Sequence, residues 1–314
     1  MSPLRTVKRA IRPLIPDPVF ETYWTWREQA RHRAAFRRDV RPTDVFVVGH
    51  PKSGNTWLTY MLALLLERRF EGARATLANV ETFAPAIHGR DGEIARPSAR
   101  PDPRLFRNEE PLYPELYPRT IYMLRDPRAV VLSYYHHWLH WLRYHRDLYP
   151  PHVDTSLDAY LDELLGKGCI TLYEPDLERW DRQVLAWLGR AKYQPVLVVR
   201  YEEMIADRRR VLLSAVRFIG LACDDDDIER AVELGSFENM RKSEEQHGAE
   251  PYLVDVTHES QRAPTYGATG ERDYFMRRGR VDSWRDEMNA RQLARIEHEF
   301  ARAMAAAGYL PAVT

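Results

Sequence analysis

Between Asp44 and Leu66 the chain reads DVFVVGHPKSGNTWLTYMLALLL, and no other stretch restricts the fold as much. Val45 to Val48 is a β-branched and aromatic run of the kind that forms a buried strand. It breaks at Gly49-His50-Pro51, and Asn55-Thr56-Trp57 opens an apolar helix reaching about Glu67. A strand, a tight loop and a helix start present loop amides and first-turn N–H groups with the positive end of the helix dipole behind them. Lys52 adds a mobile cation, and Ser53 and Thr56 add hydroxyls. Residues of these types in this order make a phosphate cradle. It differs from the nucleoside-triphosphate loop G-x-x-x-x-G-K-[ST], in which the Lys immediately precedes the magnesium-ligating hydroxyl. Here Lys52 comes ahead of Gly54.

The 314 residues suffice for one α/β domain with added helices and a sizeable core. Forty-six Lys and Arg balance forty-six Asp and Glu, so the formal net charge is +0 and no global field points to nucleic acid or to an acidic polymer. The two cysteines, Cys169 and Cys223, stand far apart without metal-ligand spacing, as in a reduced, cytoplasmic protein. No apolar run reaches the length of a membrane span and no signal peptide opens the chain, so a soluble protein is expected.

Residues 1–43 have a character of their own. Arg5, Lys8, Arg9 and Arg12 alternate with Val7, Ile11, Leu14 and Ile15 before Pro16 and Pro18 interrupt. A second helical stretch, Phe20 to Arg38, carries Tyr23, Trp24 and Trp26 among arginines. Two readings stand: a basic arm touching membrane headgroups or an anionic partner, or, favoured because Pro breaks the amphipathic pattern early, a helix packed across the back of the body with a solvated basic face. Residues 71–118 are rich in Pro, Arg and Gly without periodicity and read as a functional loop region. Thr120 to Leu124 and Pro195 to Arg200 read as further buried strands. Helices are expected from Arg128, near Leu157–Leu165 and Asp176–Leu188, over Asp207–Ile219 and Asp225–Leu234, and from Asn289 to Ala307. Apolar strands spaced by helices argue for α/β architecture: a P-loop-like, doubly wound central parallel sheet with helices on both faces. No internal repeat or low-complexity tract is present.

Open parallel sheets bind ligands beyond their strand ends. Arg125 stands at such an end and Ser133 falls about two helical turns later, so the Arg can fork onto a phosphate while the Ser hydroxyl donates from the adjoining helix.

The string PKSGNTW resembles the 5′-phosphosulfate loop (PKSGTTW) of the cytosolic-type sulfotransferases, which use 3′-phosphoadenosine 5′-phosphosulfate (PAPS) and release adenosine 3′,5′-bisphosphate (PAP). The resemblance makes Lys52, Ser53, Gly54, Asn55, Thr56 and Trp57 expected nucleotide contacts, with Trp57 against the adenine. RDPRAVVLSYY resembles the family's 3′-phosphate segment, with Arg125 and Ser133 on its two ligands. VVRYEEM places Tyr201 near the adenine, and SFENM does the same for Ser236 and Phe237, although Gly235 stands where the family often has Thr. YFMRRGRVDSW resembles the signature R-K-G-x-x-G-D-W and implies that Met276, Arg277, Arg278 and Gly279 surround the 3′-phosphate; Val281-Asp282-Ser283-Trp284 departs from it. The resemblance covers roughly residues 44–285, which implies a sulfotransferase domain over 44–314 behind an arm of 1–43.

The implied reaction moves a sulfuryl group from PAPS to a hydroxyl or amine of a carbohydrate or small-molecule acceptor. Lys52 would meet the charge on the leaving phosphate, and no divalent metal is required. The family's proton-accepting His lies in K-[TS]-H-x-P. Here Arg107-Asn108-Glu109-Glu110-Pro111 stands at that distance, so Glu109 takes the His position, with His50, His88 and His136 as alternatives. His136 and His140 have i, i+4 spacing that suits zinc, but the neighbouring Tyr134, Tyr135, Trp138 and Trp141 instead suggest that this cluster, with His137, walls the acceptor pocket. Asp224 to Asp227 open a helix, where carboxylates favour the dipole, and are not a metal site. A nucleotide kinase or NTPase, and a PAP-binding protein that has lost catalysis, are the rival readings. Tyr113, Trp138 and Trp141 suit a sugar ring or a phenol equally. The family's C-terminal dimer motif is not apparent in Met288 to Gly308, so no oligomeric state is assigned.

Overall fold

The computed structural model describes residues 29–70, 72–87, 100–144, 150, 152–167, 177–248, 277 and 279–311. The basic segment 1–28, His88, the side chain of Trp141, Cys169, Met276 and Arg278 lie outside the described residues.

Four strands, β1 (Val45–Gly49), β2 (Leu105–Asn108), β3 (Arg119–Leu124) and β4 (Val196–Arg200), form one parallel sheet in the order β2-β1-β3-β4. Residues alternate between its faces, as the period of a strand requires. Phe46 and Val48 of β1, with Tyr122 and Leu124 of β3, join one core; Val45, Val47, Ile121 and Met123 join the other. The first core is closed by α2 (Pro127–Tyr144), α3 (Leu157–Lys167), α4 (Trp180–Arg190) and α8 (Ala290–Glu299). The second is closed by α1 (Asn55–Leu66), α5 (Arg208–Ile219) and α6 (Asp225–Leu234). Every residue of α1 is buried, which explains why its sequence is apolar all round instead of striped. A further helix, α7 (Phe237–His247), follows α6 directly. The sheet with helices on both faces is the doubly wound arrangement expected from the strand and helix pattern.

Three local expectations need correction. The region 71–118 is not all loop, because it contains β2. Its strand signal is obscured by Arg104 and Arg107, which are nevertheless buried because each has a partner. Arg104 forks onto Asp44 at 2.7 and 2.5 Å, and Arg107 pairs with Glu81 at 3.0 Å. The strand expected to be buried over Pro195 to Arg200 is β4, in which only Val199 is buried, and Tyr201 begins the helical turn Tyr201–Ala206. The expected helix from Asn289 to Ala307 is two pieces, α8 and Ala301–Ala306, separated at Phe300, which turns into the core against Trp180 at 5.5 Å.

Residues 29–39 are helical and inserted into the body through Phe36, which packs on Phe46, Tyr113 and Tyr117. Among the described residues no helix is long and apolar enough to cross a membrane.

Candidate active site

The strand order lays out the site. All four strands run the same way, so their C-terminal ends share one edge. Glu109 follows β2, the Gly49–Gly54 loop follows β1, Arg125 follows β3 and Tyr201 follows β4. Register keeps these positions level: Val48 pairs with Asn108, Gly49 with Met123, and Leu124 with Arg200. Glu109, Lys52, Arg125 and Tyr201 therefore stand side by side, and all four line one cleft.

The cradle is shaped by backbone. Ser53 N–H donates to the His50 carbonyl at 3.1 Å. Lys52 and Gly54 lie in the left-handed region at φ 68° and 99°. For Lys52 this costs on the order of 1 kcal/mol, a strain that clusters at functional sites. At Gly54 a side chain is excluded twice over, since a Cβ would sit 2.8 Å from the Tyr201 ring. Gly54 caps α1 without a side-chain acceptor, and no carboxylate occupies the helix's first turn, so the positive helix end faces an anion site. Among the described residues buried Arg125 Nε, on a side chain that lines the cleft, has no hydrogen-bond partner, as a site shaped for phosphate oxygens would leave it; Ser53 Oγ also has none but is buried away from the cleft.

Arg125 reaches back into the loop, its Nη1 donating to the Lys52 carbonyl at 2.8 Å while its guanidinium lies 3.9 Å above the Tyr201 ring. Trp57 meets the same ring edge-on at 5.4 Å and donates its indole N–H to Gly235 O at 2.7 Å. Gly235 thus acts through its carbonyl, and a Cβ there would strike Met61 at 2.6 Å. Ser133, Phe237, Arg277 and Gly279 complete this end of the cleft, with Arg280 and Ser283 beside them. Arg277 pairs with Glu287 at 2.7 Å, and His136 holds the other oxygen of the same carboxylate at 2.7 Å. Burial raises the Glu287 pKa, but the hydrogen bonds and charges of Arg277 and His136 outweigh it, so the net shift is downward.

Of the expected nucleotide contacts among the described residues, Ser53 and Ser236 do not line the cleft. Ser236 serves the helix instead. Its hydroxyl caps α7 by accepting from Asn239 N–H at 3.2 Å, which turns it from the cleft while Phe237 enters it.

Glu109 lines the same cleft, as do Lys52, Pro51 and His137. Its Oε1 accepts from Asn55 Nδ2 at 3.1 Å and its backbone carbonyl accepts from Gln183 Nε2 at 3.0 Å. Arg107, two residues before it, donates to Glu81 at 3.0 Å. The expected aromatic wall is corrected as well. Tyr134 and Trp138 are core residues, Trp138 packing on Tyr160 at 5.6 Å, and Tyr113 packs on Phe36. Of that helical segment it is Ser133 and His137, one turn apart on α2, that face the cleft. His137 opens to the cleft but is densely surrounded by protein. Burial, and then the charges of Lys52 and His140, hold its pKa well below 6.5, so it is neutral at pH 7. His50 is behind the loop, out of the cleft. Burial lowers its pKa to about 4, partly offset by a hydrogen bond with the Pro51 carbonyl.

Comparison with known proteins fits this geometry. The sequence model of the sulfotransferase domain matches residues 42–308. Rabbit (Oryctolagus cuniculus) amine sulfotransferase is 25% identical over 277 residues, 85% of this chain and 82% of that one. A 3-beta-hydroxysteroid sulfotransferase of Cavia porcellus is 25% identical over 285 residues, 87% of this chain and 86% of the relative. In structure the chain resembles mouse sulfotransferase SULT7A1 complexed with PAP, at TM-score 0.57, 20% identity and coverage of 88% of this chain and 91% of that one. It also resembles retinol dehydratase in complex with androsterone and PAP, at TM-score 0.61, 18% identity and coverage of 86% and 82%. With the family model spanning most of its length and the strand-end cleft inside that span, the chain belongs to the sulfotransferase family.

Proposed function

We propose that this sulfotransferase takes its sulfuryl group from PAPS, passes it to a hydroxyl or amine of a small-molecule or carbohydrate acceptor, and releases PAP. One observation carries the reading: adjacent strand ends deliver Glu109, Lys52, Arg125 and Tyr201 in that order along a single cleft. That order corresponds to a carboxylate for the acceptor, a cation for the transferring group, a guanidinium for a terminal phosphate and a ring for the base. The cradle at Gly54-Asn55-Thr56 holds the 5′-phosphosulfate. Arg125, Ser133, Arg277 and Gly279 hold the 3′-phosphate, and the motif resemblance assigns Met276 and Arg278 to the same ligand. Trp57, Tyr201 and Phe237 flank the adenine. PAP in the structural relatives named above, and steroid and amine acceptors in the names of the sequence relatives, support this choice.

The chemistry asked of the chain is modest. Glu109 takes the proton of the acceptor as its oxygen or nitrogen bonds to sulfur. The electron pair of the breaking S–O bond goes to the bridging oxygen, and the Lys52 ammonium meets the charge that develops there. Side chains already in place at that edge supply orientation. The catalytic domain is taken as 44–314 behind an arm of 1–43. A cytoplasmic location agrees with a chain that has two widely separated cysteines.

Incubation with labelled PAPS and a panel of phenols, steroids, amines and sugars, with and without EDTA, tests the reaction. Transfer unaffected by chelation is expected; transfer that needs magnesium would favour the kinase-like alternative. Calorimetry with PAP and with adenosine 5′-monophosphate tests the cradle. PAP should bind far more tightly, and equal affinity would remove the 3′-phosphate site. PAP binding without turnover on any acceptor would identify a binding protein.

A further inference from the structure

We infer that Asn55 is a positioning residue for the acceptor-side base, its side-chain amide holding Glu109 in place instead of contacting the nucleotide. The inference rests on the reading of Glu109 as that base.

Asn55 is the first residue of α1 and 2% exposed. Its Nδ2 faces three oxygens: Gly49 O at 3.0 Å, His50 O at 3.4 Å and Glu109 Oε1 at 3.1 Å. All three can only accept, which settles which end of the amide is nitrogen. The amide is also wedged, because a Cβ on Gly49 would lie 2.4 Å from Asn55 Oδ1. Its donors are therefore spent on the loop behind the cradle and on the carboxylate beside it. What remains for a phosphate is the Asn55 backbone N–H at the helix start.

Glu109 is fixed from two directions, its carboxylate by α1 through Asn55 and its carbonyl by α4 through Gln183. With Oε1 engaged, the carboxylate has one defined oxygen to offer an acceptor proton. This restraint comes from the same residue whose main chain opens the phosphate cradle, so base and cradle keep their separation. The two positions are among those at which the chain leaves the motifs it resembles: Asn55 stands for Thr in PKSGTTW, and Glu109 for His in K-[TS]-H-x-P. Far apart in sequence, the two departures touch. A threonine is too short to reach from the loop to the carboxylate, and an imidazole at 109 would not need an amide donor in the same place.

A double-mutant cycle on the full-length enzyme tests this, with Asn55→Thr, Glu109→Gln and the pair, read as kcat, PAPS KM and PAP affinity by calorimetry. Asn55→Thr should lower kcat about tenfold, as for loss of a hydrogen bond to a charged group, while PAPS KM and PAP affinity stay within about threefold. In the Glu109→Gln background the same change should cost almost nothing further. Costs that multiply, or an Asn55→Thr enzyme whose defect is weakened PAP binding, would overturn the inference and return the side chain to the nucleotide. A Glu109→Gln enzyme with full activity would instead remove the base reading itself, a result visible without any Asn55 variant. Thermal melting confirms folding of each variant. If Asn55→Thr does not fold, Asn55→Ser puts the same question with a smaller side chain.

Discussion

Around the loop after β1 the shape of the cleft is set largely by the main chain. Lys52 and Gly54 hold left-handed conformations, α1 starts without a capping side chain, and Gly54 and Gly279 sit so close to the Tyr201 and Phe237 rings that a Cβ would collide. Where Glu109 and His137 line the cleft its wall is made by individual side chains, and neither residue has a positive φ. A site made of backbone needs many residues in a fixed order and so appears as a motif. A site made of side chains can change one residue at a time. The contrast explains why this chain keeps a phosphate loop close to its family's while replacing the family's histidine.

The sharpest way to break the comparison is Lys52→Ala, because that residue belongs to the loop and also lines the cleft. We expect kcat to fall by about 10²–10³, as for loss of a positioned transition-state donor, with PAP affinity much less affected. Near-normal single-turnover rates would remove Lys52 from the chemistry.

Next comes the support behind the loop. The pKa of His50 is about 4 in the folded protein against 6.5 when unfolded, so between those values the unfolded chain binds the extra proton. Stability should therefore be lost as pH falls from about 6.5 toward 4, by on the order of 3 kcal/mol from His50. His137, shifted in the same direction, adds to the loss. Urea unfolding at pH 7 and pH 4.5 measures it. His50→Gln should flatten the dependence, and an unchanged slope would assign the effect elsewhere.

A smaller effect separates the two ends directly. Gly279→Ala places a methyl group 2.4 Å from the Phe237 ring at a backbone φ of 62°. PAP affinity should drop about tenfold, while the acceptor KM measured at saturating PAPS stays put. The mildest change is His137→Phe, which should alter acceptor KM several-fold and leave PAP affinity untouched. A loss of PAP binding there would mean that the cleft is not divided as described.

Much of this was legible from residue order, and the remainder was hidden for identifiable reasons. The β1–loop–α1 unit, Arg125 at the end of β3 and the Asp207 and Asp224 helix caps follow from short-range pattern. β2 did not, because two buried arginines disguise it and their neutralising partners, Asp44 and Glu81, come from elsewhere in the chain. Ser236 resembled a ligand by its place in the motif, yet helix capping claimed its oxygen. Tyr134 and Trp138 looked like pocket walls because aromatic residues near a site resemble those of a core, and the core has them. The Asn55–Glu109 contact could have been suspected only by asking whether two motif departures touch, and that question needs coordinates.

The strand order β2-β1-β3-β4 has a historical consequence. Lys52 and Arg125 follow the two interior strands, each flanked by a full strand on both sides, whereas Glu109 follows β2, whose outer side is held among the described residues only by the short bridge of Ala86 to Arg107. Selection can rework a margin without loosening the ladder that holds the interior. A lineage on this scaffold is thus free to trade one customer molecule for another while its grip on the donor stays as inherited.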